Sequence, residues 1–162
     1  NQAGWQCFDD FLATLLRKKR KNIQQERSQV MKAGINLRCI SGHEASDDDV
    51  SAMYGFYCST QLEKGNHPAL TLEFFRHLNR EMPENVVIFL AEKNGRAIAG
   101  AYCLRSDTTL YGRYWGASEN VPGLHFETCY YQGIEYCLRE GLAVFEPGAQ
   151  GEHKIARVSC RF

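Results

Sequence analysis

The chain has 162 residues, of which 44% are hydrophobic and 23% charged, and its 19 basic and 19 acidic side chains give no formal net charge. This composition is typical of one soluble folded domain and excludes a disordered or fibrous chain. It also disfavours a protein that grips a long nucleic-acid duplex, because such proteins are usually basic overall.

The first predicted element is one long helix. Asp9 or Asp10 is a suitable N-cap, and Gly34 can end the helix after about Ala33. Residues 35–40 alternate between apolar and polar side chains, which indicates a strand. We therefore expect residues 1–34 to form an N-terminal basic helix that leads into a domain spanning residues 35–162.

Two further helices are predicted next. Ser46 begins an acidic, capping-box-like segment, and the apolar residues from Val50 to Tyr57 recur at helical spacing. After a break at residues 65–68, a short helix is predicted from Thr71, and Pro83 follows its end.

A three-strand antiparallel meander is predicted in the second half of the chain. The apolar run 86–91 has strand length, and Asn94-Gly95 is a strong hairpin signal before a return strand at 96–105. A third strand is predicted at 108–116, then a helix at 125–140, and a last strand at 143–146. On the third strand, alternation places Tyr111, Arg113 and Trp115 on one face and Leu110, Gly112 and Tyr114 on the other.

The order of these elements resembles the core of the GNAT (acyl-CoA N-acyltransferase) fold. The predicted class is therefore α+β, with a central mixed, mostly antiparallel sheet flanked by helices. In a strand–helix–strand crossover the helix begins beside the end of the preceding strand. Backbone N–H groups at that point can bind phosphates or the carbonyl oxygen of an acyl donor.

Four segments carry a closer resemblance: CFDDFL at 7–12, LYGRYWG at 110–116, LHFETCYYQ at 124–132 and FEPGAQGEHK at 145–154. They resemble a bacterial family of predicted N-acyltransferases, labelled as peptidoglycan biosynthesis or recognition proteins. This family is similar to the Fem-type aminoacyl transferases, which are built from GNAT-like domains. The resemblance covers nearly the whole chain. It implies that the chain is the latter half of a longer protein, C-terminally incomplete, and that it transfers an acyl group to an amine.

The resemblance also gives the candidate catalytic residues. An amine that attacks a carbonyl must lose a proton, so a base is needed near the acyl carbon. Glu127 or His125, at the start of the helix, is the expected base, with Glu146 in reserve. Tyr131 is a candidate proton donor to the leaving group, with Tyr130 beside it as the alternative. Simpler roles remain open: His125 can cap or pack, Glu127 can complement the helix dipole, and Tyr131 can be a core residue.

Substrate-binding roles are expected on the third strand and in the segment 146–154 that follows the last strand. Glycines allow backbone N–H groups to approach an anion, lysine neutralises charge, and histidine moves protons near neutral pH. The alternative for the segment 146–154 is an ordinary surface turn. The expected binding residues are Arg113, Trp115, Gly148, Gln150, Gly151, His153 and Lys154.

Arg113 is expected among aromatic side chains on the third strand. A buried arginine needs an anion, which suggests a bound carboxylate or phosphate. A salt bridge to Glu127 or Glu146 is the alternative.

The donor remains open between two classes. Acetyl-CoA-dependent GNAT enzymes usually have a Q/R-x-x-G-x-G/A loop, and residues 117–123 lack it. We expect no permanently bound cofactor, with acyl-CoA or aminoacyl-tRNA as donor and a small-molecule or peptide amine as acceptor. A non-catalytic module that binds a peptidoglycan precursor is the third hypothesis.

A run of five consecutive cations bears on the choice of donor. It can contact the phosphates of a tRNA or of an anionic lipid-linked acceptor. It can equally be a solvated helix face, to which Arg27 would also belong. The run consists of Arg17, Lys18, Lys19, Arg20 and Lys21.

The cysteines and histidines bear on location and on metals. The seven cysteines are widely spaced without a CxxC pair, which predicts reduced thiols. The sequence has no apolar stretch of membrane-spanning length and no signal peptide, so we expect a cytoplasmic protein. The histidines outside the motifs stand apart, and no metal site is expected.

Overall fold

The structure is a computed structural model that describes residues 4–148 and 160–161. Its helices are α1 Phe8–Ala13, α2 Arg17–Lys32, α3 Asp47–Glu63, α4 Leu72–Glu81, α5 Leu124–Phe126 and α6 Gln132–Glu140, with a π-helical turn at Glu127–Tyr131 between the last two. Its strands are β1 Ile35–Ser41, β2 Val86–Lys93, β3 Arg96–Arg105, β4 Thr109–Ala117, β5 Val144–Glu146 and β6 Cys160–Arg161.

The strands form one sheet in the order β1-β2-β3-β4-β5-β6. All neighbouring pairs are antiparallel except β4 and β5, which run parallel for three residue pairs, from Thr109–Val144 to Tyr111–Glu146. The α+β class and the mixed, mostly antiparallel sheet flanked by helices are confirmed.

Helices cover both faces of this sheet. On one face α3 and α4 pack Met53 and Phe75 against β2 and β3. On the other face α1, the π-helical turn and α6 pack Leu12 and Cys137 against β2, β4 and β5. Residues 86–91 are at most 1% exposed because β2 is covered from both sides, and this explains the unbroken apolar run in the sequence.

Several caps and turns form where local sequence signals predict them. Ser46 caps α3, since its hydroxyl accepts from the Asp49 N–H at 3.1 Å and the Asp49 carboxylate accepts from the Ser46 N–H at 3.0 Å. Asn94 and Gly95 both have positive φ, 52° and 75°, as a tight type I′ hairpin requires. The helix predicted from Thr71 and the end of α6 at Gly141 are also confirmed.

The prediction of one continuous helix up to Ala33 is wrong. The chain leaves the helical conformation at Leu16, and α2 begins at Arg17. Asp10 is not the N-cap of α1 but its third residue, where its carboxylate accepts from the Gln6 and Cys7 N–H groups. Tertiary packing explains the break: α1 contacts α6, while α2 contacts β1, α5 and the π-helical turn.

A β-bulge changes which residues of β4 share a face. Tyr102 pairs with Tyr114 and Cys103 pairs with Gly112, so Arg113 has no partner in the register with β3. The extra residue turns the strand, and Leu110 and Tyr114 pack on opposite faces of the sheet. The predicted strict alternation along β4 is therefore wrong beyond Gly112.

Candidate active site

The sheet opens where β4 and β5 separate. Their parallel pairing stops at Tyr111 and Glu146, and β4 continues alone on this side among the described residues. The backbones are still close at this point: a Cβ atom on Gly112 would lie 2.5 Å from the carbonyl oxygen of Pro147. A groove follows, and we call it the β4 groove. It is lined by Arg113, Tyr114, Trp115, His125, Tyr130 and Gly148.

The β4 groove contains a small cavity of about 20 Å³, and a larger one of about 480 Å³ borders it. The larger cavity lies between the end of β4, the loop 117–123 and the last turn of α3. Its charged lining residues among those described are acidic, Glu63 and Glu119, and we call it the acidic cavity. Glu119 is partly neutralised by Lys93 at 3.6 Å and Arg96 at 3.7 Å. Trp115 and His125 line both cavities.

Aromatic rings surround His125. The ring centroid of Trp115 is 5.0 Å from that of His125, and the Tyr130 ring centroid is 5.9 Å away. The Trp115 carbonyl oxygen accepts a 2.6 Å hydrogen bond from the Thr60 hydroxyl of α3. The imidazole therefore lies in the groove, held between β4 and the start of the helix.

Arg113 is exposed at the bulge, and its guanidinium carbon lies 5.2 Å from the centroid of the Tyr111 ring. The expectation that this arginine is buried is wrong, because the bulge turns it outward. The proposed ion pair with Glu127 is also wrong, since that carboxylate is bound by another arginine. The binding role predicted for Arg113 stays a prediction.

Glu127 is 4% exposed and forms an ion pair with α2. Arg27 donates to both of its carboxylate oxygens, from Nε at 3.0 Å and from Nη2 at 2.9 Å, and Gln132 donates at 2.8 Å. Arg27 Nη1 also donates to Glu135 at 2.7 Å. Both oxygens of Glu127 are thus engaged in joining the π-helical turn to α2. The base role predicted for Glu127 stays a prediction.

Sequence reasoning placed Arg27 on a solvated basic face, and this is wrong. Its guanidinium carbon lies 4.4 Å from the ring centroid of Phe8, so the side chain turns inward between α1 and the π-helical turn. Its two carboxylate partners lie about a hundred residues away in the sequence, so no local pattern marks them.

The two adjacent tyrosines have different surroundings. The hydroxyl of Tyr131 donates to the Glu26 carboxylate at 2.5 Å, and burial together with this hydrogen bond raises its pKa. Tyr130, the alternative to Tyr131 as proton donor, lines the β4 groove, and burial raises its pKa as well. The π-helical turn inserts one extra residue per turn and so shifts which side chains face the groove.

Cys129 is a lining residue that sequence reasoning missed. Burial raises the pKa of its thiol well above the usual range, so the side chain is a neutral thiol at physiological pH. Both Cys129 and Tyr130 fall within the segment 124–132 that carries the family resemblance, which was the available signal for them.

Of the predicted binding segment 146–154, only residues 146–148 are described. Glu146 is exposed at the end of β5, and Gly148 has a positive φ of 91° beside Gly112. The roles predicted for Glu146 and Gly148 stay predictions. Four predicted binding residues lie outside the described residues, namely Gln150, Gly151, His153 and Lys154.

Within residues 4–148 and 160–161, no cluster of His, Cys, Asp or Glu side chains could hold a metal ion. None of the helices in the same part of the chain is long and apolar enough to cross a membrane.

Four of the five consecutive cations are exposed and Arg20 is partly buried.

Comparison with known proteins identifies a family. The FemAB-like family profile, described as peptidoglycan biosynthesis/recognition, matches residues 1–159. Comparison with curated protein sequences yields no match.

Solved structures share the fold at low identity. A C-terminal domain assigned to a lysylphosphatidylglycerol synthetase from Agrobacterium fabrum has a TM-score of 0.56 and 16% identity, over 83% of this chain and 43% of that chain. A protein of unknown function from Bacteroides thetaiotaomicron has a TM-score of 0.50 and 13% identity, over 75% of this chain and 42% of that chain. A predicted acetyltransferase with acetyl-CoA from Clostridium acetobutylicum has a TM-score of 0.45 and 19% identity, over 64% of this chain and 70% of that chain. The chain spans less than half the length of the first two structures, with which it shares the fold.

Proposed function

Since the chain belongs to the FemAB-like family of peptidoglycan biosynthesis/recognition proteins, we propose that it transfers an acyl or aminoacyl group from an activated donor to an amine in the β4 groove. In this reaction the amine nitrogen forms a bond to the carbonyl carbon, and the bond from that carbon to the donor's leaving atom breaks. The amine loses one proton and the leaving group gains one.

The observation that carries the proposal is the position of His125. Its side chain lines both the small cavity at the strand separation and the acidic cavity. A group at this junction can take a proton from an amine that enters on one side and attacks a carbonyl on the other. We therefore assign the base role to His125, with the exposed Glu146 in reserve.

Glu127 and Tyr131 then have positioning roles. Both bond to side chains of α2, Glu127 to Arg27 and Tyr131 to Glu26. These contacts hold the π-helical turn, and with it His125 and Tyr130, against the rest of the domain. Tyr130 in the groove is the tyrosine that we assign to the leaving group.

The charges of the acidic cavity favour an amine acceptor. Glu63 attracts an ammonium group and repels the phosphates of a donor, and Glu119 adds to this only in part because Lys93 and Arg96 lie beside it. The acceptor rather than the donor would therefore occupy this space. The backbone at the Arg113 bulge lies outside the ladder with β3 and would bind the acyl carbonyl oxygen. We assign Arg113 itself to an anionic part of the donor.

Turnover by the full chain, with an acyl-CoA or an aminoacyl-tRNA as donor and a peptide amine as acceptor, tests the proposal. His125→Gln should lower kcat by about 10²-fold or more at a temperature where the variant is folded, because general-base catalysis contributes about 10²–10⁴-fold. The control is His77→Gln, which changes an exposed histidine of α4. Wild-type turnover in His125→Gln would contradict the assignment. Absence of turnover with both donor classes would favour a module that binds a peptidoglycan precursor.

A further inference from the structure

A third, mainly apolar cavity shares lining residues with the β4 groove. Its volume is about 440 Å³, which is within the range of small-molecule sites. Leucines of the α1–α2 turn and Ile23 of α2 form one wall, and Phe126, Tyr130 and Ile134 form the opposite wall. We call it the apolar cavity. The break between α1 and α2 places Leu15 and Leu16 at its edge.

Cations flank the opening of the apolar cavity. Lys18 and Lys19 are exposed and line it, and they belong to the run of five consecutive cations. Leu16 beside them is 83% exposed. Glu26 is the acidic lining residue among those described, and its carboxylate accepts a hydrogen bond from Tyr131. The combination is an apolar interior with positive charge at its solvent edge.

The apolar cavity borders the candidate active site. Tyr130 and Pro147 line both this cavity and the small cavity of the β4 groove. A ligand in the apolar cavity would therefore contact two residues that also face the groove.

We propose that the apolar cavity binds the alkyl chain of a monomeric anionic amphiphile, with its carboxylate or phosphate head group beside Lys18 and Lys19. Charge complementarity selects the head group, and the apolar walls select the chain. Binding of this kind does not require the transfer reaction, so a binding assay and a turnover assay can fail separately.

Calorimetric titration of the full chain with monomeric alkanoates, from hexanoate to dodecanoate, tests the chain site. Each methylene buried should tighten binding about fourfold, until the cavity is full and the affinity stops rising. Equal affinity for all chain lengths would overturn the proposal. So would binding to vesicles of an anionic phospholipid without binding of monomeric decanoate, because the cations would then contact a membrane surface instead.

Two pairs of variants separate the interior from the opening. Leu15→Trp should fill the cavity and weaken decanoate binding at least tenfold, whereas Leu62→Trp, at an exposed leucine of α3, should not. The double variant Lys18→Gln/Lys19→Gln should weaken decanoate binding by at most about fivefold for each cation and leave decanol binding unchanged. The control is Lys21→Gln/Lys32→Gln, which removes the same charge from α2 at positions that do not line the cavity.

Sedimentation of the unliganded chain tests whether a second copy of the chain covers the opening of the apolar cavity. Unchanged decanoate affinity in Leu15→Trp, with an unchanged Tm, would overturn the proposal. Self-association of the wild-type chain that Leu16→Asp abolishes would also overturn it, because a second copy would then cover the opening. A monomer that binds decanoate supports it.

Discussion

Replacing Arg27 with methionine removes the cation that binds Glu127 and keeps most of the volume of the side chain. Glu127 is 4% exposed, and Gln132 would be its remaining hydrogen-bond donor among the described residues. Removing one partner of a buried pair costs about 3–5 kcal/mol. Since the Arg27 side chain is 23% exposed, water can partly replace it, and we expect the low end of that range, about 3 kcal/mol. For a chain of this size the Tm should fall by about 6–12 °C.

Urea unfolding and calorimetry of wild-type and variant chains measure this loss. Arg96→Met is the matched control, because Arg96 is 80% exposed with its carboxylate partner 3.7 Å away, and it should cost no more than about 0.5 kcal/mol. The double variant Arg27→Met/Glu127→Gln should cost less than the sum of its single variants. A loss below about 1 kcal/mol for Arg27→Met, or strict additivity, would refute the reasoning.

The same assay separates two roles for Glu127. If it positions the π-helical turn, Glu127→Gln should lower stability by about 1.5–3 kcal/mol, because hydrogen bonds to a charged group are lost. If it is also the base, Glu127→Gln should in addition abolish turnover at temperatures where the variant chain is still folded.

Three further predictions follow from close packing and from pKa. Gly116→Ala should destabilise the fold strongly, since a Cβ atom there would overlap the backbone of α3. Gly55→Ala, on the exposed side of α3, should instead stabilise the fold by about 0.5–1 kcal/mol. Urea unfolding of both variants measures the two effects. The hydrogen bonds from Arg38 lower the pKa of Asp49 in the folded chain. The ionised Asp49 carboxylate therefore stabilises the fold above the unfolded pKa of about 3.9, and this contribution is lost as pH falls through the lower folded pKa. Asp49→Asn should accordingly flatten the loss of unfolding free energy between about pH 5 and pH 2. Burial and a hydrogen bond raise the pKa of Tyr131, so this tyrosine should not ionise near the usual tyrosine pKa of about 10. Tyr131→Phe should therefore leave unchanged the rise in ultraviolet absorbance that tyrosine ionisation gives near that pH. A smaller rise in the variant would contradict the burial of Tyr131.

The amino-acid sequence determined the features that depend on neighbours along the chain. Ser46 and Asp49 cap a helix because they lie three residues apart, and Asn94-Gly95 turns a hairpin because both residues tolerate positive φ. The apolar run 86–91 indicated a buried strand by its length. From these signals the order of elements, the α+β class and the region of the candidate site could be predicted.

The tertiary structure decided the features that depend on distant partners. Arg27 turns inward because its carboxylate partners lie about a hundred residues along the chain, which no local pattern reveals. The helix breaks before Arg17 because its two parts pack against different elements, and this break shapes the apolar cavity. The bulge at Arg113 and the π-helical turn each insert one residue, and they change which side chains face the groove. Sequence periodicity assumes regular strands and helices, so it cannot predict side-chain direction past an inserted residue that tertiary packing alone stabilises.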